Sequence, residues 1–139
     1  MANGDGSACV EMTFPCKPEF VGVARLTILG VASRMKISYD EVEDVRLAVG
    51  EACTTAVEWA DKNNKSDSNI TLRSEISPDK LTVDIIDKSG TRVDTASPND
   101  EQDPENLGAL LITLLVDEIK IEPISEGTHV RMVKYAGQR

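Results

Sequence analysis

A chain of 139 residues has room for one domain around one core. It is 40% hydrophobic and 28% charged, as globular proteins are, and with aromatics at only 4% its core must be built from Val, Ile, Leu and Ala. A net charge of −9 sets the surface against phosphate backbones, which excludes direct nucleic-acid binding as an expectation and suits either a basic protein partner or plain solubility.

The opening, MANGDGSA, lacks the basic stretch and apolar run of a secretion signal, so residues 1–9 are expected to be a flexible tail and 10–139 a single domain. No stretch approaches the ~18 apolar residues of a membrane span. The three cysteines, Cys9, Cys16 and Cys53, have no C-x-x-C spacing and so make neither a disulfide framework nor a zinc site. Reduced thiols in a cytoplasmic protein are the expectation.

Residues 10–14 alternate enough for a short strand, which Pro15 and Pro18 end. Apolar residues at Phe20, Val23, Ala24, Thr27 and Val31 then have helical spacing, predicting a helix over 19–35. Ser38-Tyr39-Asp40-Glu41 is a capping box. A second helix should start there and run to about residue 61, with Val42, Val45, Val49, Ala52, Ala56 and Ala60 as its apolar stripe. Two alternating stretches, 69–76 and 81–86, flank the turn residues Ser77-Pro78-Asp79-Lys80 and predict a hairpin. Residues 87–105 lack periodicity and read as a long loop. Residues 106–116 (NLGALLITLLV) should form a buried helix. A strand around Ile119 and Ile121, a turn at Ser125-Glu126-Gly127 and a strand over 129–135 complete the chain. The expected fold class is an α+β two-layer sandwich: a mixed, mostly antiparallel sheet with helices on one face.

Three places could carry chemistry. Glu51, Thr55 and Trp59 lie four apart and so share one edge of the second helix. There Glu51 is either a pocket acid or a solvated residue beside the core. Asp87 ends a strand before Lys88-Ser89-Gly90, where it can accept from a ligand amine or simply make a turn. Leu107-Gly108-Ala109 opens the third helix, where backbone N–H groups could hold a phosphate. The only histidine, His129, has no acid or second ligand nearby in sequence and reads as structural, and Cys53 reads as core packing.

Beside these places stand three longer segments: ARLTILGVASRM (24–35), YDEVEDVRLAVGEACTTAV (39–57), and LLVDEIKI with VRMVKY. Together they resemble the anti-sigma factor serine kinases, the RsbW/SpoIIAB type of the GHKL, or histidine-kinase-like (Bergerat), ATPase fold. The resemblance covers about Val10 to Tyr135. It implies a homodimer that sequesters a sigma factor and phosphorylates a serine of an anti-anti-sigma protein with ATP and magnesium. By position it makes Glu51 the general base, Thr55 the counterpart of a magnesium-binding asparagine, and Asp87 the reader of the adenine amino group. Gly90 and Gly108 become nucleotide-site glycines, and Arg25 a contact for protein partners.

The departures from the family pattern fall on the phosphate and metal side. Thr55 replaces the asparagine with a shorter side chain, Ser89 stands where the family has glycine, and Glu105-Asn106-Leu107-Gly108 replaces a G-G-L-G segment. Trp59 stands where histidine is common. The expectation is an anti-sigma factor with weakened or absent kinase activity. The alternatives are a working kinase and a structural or dimerisation module without nucleotide.

Overall fold

The computed structural model describes residues 7–90 and 104–136. The expected tail, apart from its last residues, and most of the expected loop over 87–105 lie outside them. The elements run β1 (Ala8–Pro15), a 3-10 turn (Pro18–Phe20), α1 (Val21–Ala32), α2 (Tyr39–Lys62), β2 (Asn69–Ile76), β3 (Lys80–Asp87), α3 (Pro104–Leu115), β4 (Glu118–Ile124) and β5 (Gly127–Tyr135). The strands form one sheet in the order β1-β2-β3-β5-β4. All its pairings are antiparallel, so the parallel component that "mixed" allows is not found among the described strands.

The helices cover one face, and both predicted periodicities appear in what they bury. Ile70 and Leu72 of β2, Leu81, Val83 and Ile85 of β3, and Val130 and Met132 of β5 are buried. Against them pack Ala24, Ile28 and Val31 of α1 and the whole predicted stripe of α2, from Val42 to Ala60. Three alanines, Ala52, Ala56 and Ala60, form the later part of that stripe; small side chains let a helix lie close to a sheet. The capping box is formed: Ser38 Oγ accepts from the Glu41 N–H (3.1 Å), and Glu41 Oε1 accepts from the Ser38 N–H (2.8 Å). The first helix is shorter than its periodicity predicts. Pro18 starts a 3-10 turn, and after Ala32 the chain tightens, with Arg34 and Met35 bonding back to Val31 and Ala32. No helix among the described residues is long and apolar enough to cross a membrane.

The other sheet face carries charge. Register sets Glu11, Arg73, Asp84, Arg131 and Lys120 in one row across the five strands. At its centre Asp84 is only 3% exposed and accepts from Arg131 Nε at 2.7 Å, and its Oδ1 lies 2.7 Å from His129 Nε2. So the lone histidine, read as structural from the sequence, has an acid partner that strand pairing brings to it. Burial alone would raise the Asp84 pKa; the hydrogen bonds from Arg131 and His129 together outweigh it and hold the carboxyl below its ordinary value. A carboxyl with a lowered folded-state pKa stabilises fully above its unfolded-state value, about 4. That contribution is lost as pH falls through the folded-state value. The urea midpoint should therefore drop on acidification below about pH 4, and less steeply in Asp84→Asn. Parallel acid profiles for the two proteins would refute this.

Candidate functional site

The edge of α2 that carries Glu51, Thr55 and Trp59 is half-buried and runs beside the buried alanine stripe. Gly108 of α3 lies against its first half. A Cβ on Gly108 would stand 2.7 Å from Glu51 Oε2 and 3.3 Å from Thr55 Oγ1. The sequence reading placed Gly108 at the start of its helix, with N–H groups open to a phosphate. In the structure α3 begins at Pro104, so Gly108 is past the first four residues, where an α-helix has its unpaired N–H groups. What Gly108 supplies is the missing side chain, which lets the acid and the hydroxyl come close to the α3 backbone. The helix begins early because Pro104 suits a first-turn position, where its absent N–H costs nothing.

Gly90 lies against the other half of the edge. It has φ +101, a conformation that favours glycine, and a Cβ there would be 3.3 Å from Trp59 Nε1. Its N–H donates to the Glu126 carbonyl (3.1 Å), which ties the residues after β3 to the β4–β5 turn.

Asp87 closes β3 and is fully buried. Its Oδ1 accepts from Ser89 N–H (3.2 Å) and from Ser89 Oγ (2.6 Å), which fixes the carboxylate's orientation. Thr128, also fully buried, is its partner in the β3–β5 register. Next to it, Gly127 touches the Asp87 carbonyl so closely that no Cβ could be accommodated. Cys53 is on the buried face of α2; burial first and Cys16 second push its thiol up to about 12, so it packs in the core rather than acting as a nucleophile.

Arg25 is elsewhere. Its guanidinium lies over Gly50, and it lines a groove of about 220 Å³ with Pro18, Val21, Thr54, Val57 and Glu58. The fold thus brings together Glu51, Thr55 and Gly108, sets Gly90 against Trp59, buries Asp87 at the strand end, and keeps Arg25 on the α1–α2 side. Sequence reading had Ser89 beside Asp87 but not as its hydrogen-bond donor, and it missed Gly127 and Thr128 as neighbours of Asp87. Among the described residues no group of three or more His, Cys, Asp or Glu side chains is arranged to hold a metal.

A two-layer fold with this helix edge and buried strand-end aspartate has known counterparts. The family model for the histidine kinase-like ATPase domain matches residues 14–134. The chain belongs to that family.

The serine-protein kinase RsbW of Bacillus pumilus is 38% identical, over 91% of this chain and 85% of the relative. That of Bacillus subtilis is 37% identical, over 91% and 84%. Among solved structures, the ATPase-family fold here is similar to the RsbU and RsbW domains of a Mycobacterium tuberculosis protein (TM-score 0.69, 16% identity), matching 91% of this chain and 32% of that longer one. It is also similar to the histidine kinase domain of a blue-light activated kinase from Erythrobacter litoralis (TM-score 0.60, 21% identity, 87% of this chain and 61% of that one).

Proposed function

We propose that this domain is a cytoplasmic, homodimeric anti-sigma factor that binds an adenine nucleotide, holds a sigma factor, is countered by an anti-anti-sigma protein, and phosphorylates that protein's serine slowly or not at all. The observation that carries the reading is the convergence of Glu51 and Thr55 on the bare backbone of Gly108. It keeps an acid positioned for a serine hydroxyl while offering a threonine where the family has asparagine.

The residues fit a nucleotide. Gly108 and Gly90 bring bare backbone up to the Glu51–Thr55–Trp59 edge, and Asp87 is a buried, oriented carboxylate able to accept from an adenine amino group. Magnesium is commonly held by one or two carboxylates together with the phosphates of a substrate. Here Glu51 and Thr55 are the oxygen donors nearest Gly108, and the shorter threonine reaches less far. When bound, ATP with magnesium supplies the phosphoryl group and the neutralising charge. Glu51 takes the proton from the attacking serine hydroxyl. Asp87, steadied by Ser89, reads the base. The groove beside Arg25 serves as a contact for a protein partner.

Two measurements test the proposal. A stable complex with a sigma factor, weakened by Arg25→Ala, is expected on gel filtration; no complex at all would sink the anti-sigma reading. Transfer of labelled phosphate from ATP to an anti-anti-sigma protein is expected to be slow. Fast transfer that Glu51→Gln abolishes would establish the second reading, a fully working kinase, which the position of Glu51 beside Gly108 favours.

A further inference from the structure

The charged face of the sheet has a hollow at the end where β2 turns into β3. Its volume is about 580 Å³, and Glu75, Ser77, Asp79, Lys80, Thr82 and Arg131 help to line it. Small-molecule sites commonly measure about 300–1,000 Å³. Lys80 and Asp87 are the two ends of β3, so the hollow lies roughly 23 Å along the strand from the buried aspartate. It is also on the sheet face that α2 does not cover, so it is separate from the Glu51–Thr55–Gly108 site.

Strand alternation sets Thr82 and Asp84 on this face, between the core residues Leu81, Val83 and Ile85. Thr82 lies deep in the hollow. It is only 9% exposed, yet its hydroxyl has no hydrogen-bond partner among the described residues. Polar groups buried to that degree are nearly always paired, and a valine would suit the strand without a hydroxyl to satisfy. Arg131 is held in place rather than free to swing. Its Nε and Nη2 donate to Asp84 Oδ1 (2.7 Å) and Oδ2 (3.3 Å), and Asp84 is buried. Those two bonds leave further N–H donors on the same guanidinium. Lys80 supplies a second cation, and its ammonium has no ion partner among the described residues.

The hollow holds two carboxylates as well, Glu75 and Asp79. Glu75 has Arg73 Nη1 at 3.9 Å, and Asp79 accepts from Ser77 Oγ at 3.0 Å. A plain anion would be drawn to Arg131 and Lys80 but repelled by the two acids. A plain cation would meet the reverse. A molecule carrying one charge of each sign matches both sets.

We propose that this hollow binds a small zwitterion, a free amino acid or a short peptide. Its carboxylate accepts from Arg131, Lys80 and the Thr82 hydroxyl, and its ammonium faces Glu75 and Asp79. The site is independent of the nucleotide reading above.

The test is an NMR titration of the isotopically labelled full chain with each proteinogenic amino acid and with dialanine at millimolar concentration. Acetate and methylamine, which carry one charge each, are the controls. At least one zwitterion should move the backbone amides of Glu75, Lys80, Thr82 and Arg131 saturably, and neither control should. Whether dialanine or a free amino acid binds more tightly tells which source the site takes. Thr82→Val should weaken the binding roughly five- to tenfold, the usual cost of one lost hydrogen bond. Arg131→Gln should abolish it. Should Arg131→Gln fail to fold because Asp84 loses its partner, Thr82→Val, nearly unchanged in shape, decides. Equal affinity in Thr82→Val overturns the proposal. So does acetate moving the same amides as strongly as any zwitterion, since the hollow is then an anion site. Shifts confined to Asp87–Gly90, or no saturable shift with any of the compounds, overturn it too.

Discussion

Thr55→Asn is expected to raise the rate of phosphate transfer to an anti-anti-sigma serine by about 100-fold, the scale on which a single well-placed electrostatic group acts in an active site. The hydroxyl of Thr55 hangs directly from Cβ, whereas a carboxamide oxygen sits one bond further out. Gly108 presents no side chain to either Glu51 or Thr55, so what faces the longer carboxamide there is bare α3 backbone. Phosphoryl transfer depends on positioning and on neutralising charge, so an oxygen that reaches the metal restores what the short side chain withholds. The gain should vanish in Thr55→Asn/Glu51→Gln. ADP affinity should change far less than the rate, since Asp87 and not position 55 is assigned to the base. A rate identical in wild type and Thr55→Asn would show that Thr55 is not what limits the chemistry.

Gly127→Ala is expected to destabilise the fold by about 3 kcal/mol or more, at the upper end of overpacking substitutions. A Cβ there would overlap the Asp87 carbonyl and come within 3.1 Å of Lys88 Cα. Both are backbone atoms of a paired strand and its exit, so no side-chain rotation relieves the clash. Relief requires opening the β3–β5 ladder at the Asp87–Thr128 pair, where both residues are fully buried. Urea unfolding measures the loss. Gly22→Ala and Gly30→Ala are the controls: a Cβ at either meets nothing within 4 Å, so each should stabilise α1 by roughly 0.5–1 kcal/mol through helix propensity. If Gly127→Ala unfolds at the wild-type urea concentration, the close approach of the two strands is not what holds this corner together.

Much of the fold was legible because its signals are local. The Ser38–Glu41 capping box starts α2 where the residues say it should, and β2 spans the residues that alternation marks out. The Glu51–Thr55–Trp59 edge followed from helical period alone. What stayed hidden is set by pairing between distant stretches. Asp84 and His129 meet only because β3 and β5 are neighbours in the sheet, and nothing near either residue announces the other. Gly127 looked like a turn glycine, yet its necessity comes from a carbonyl on another strand. The start of α3 was missed because Pro104 follows a run of turn-forming residues that masks the helix entrance.

The position of β5 between β3 and β4 has a kinetic consequence. The β2–β3 and β4–β5 hairpins are each closed by a short turn and need little chain entropy to form. Joining β3 to β5 must instead close the whole stretch from Asp87 to Thr128, α3 and β4 included, and pairings of that reach form slowly. Asp87 and Thr128 face each other at the end of that seam. The surroundings of the carboxylate assigned to the base are thus completed only when the two hairpins dock, and a ligand held there would act as a clasp across that seam, slowing its opening.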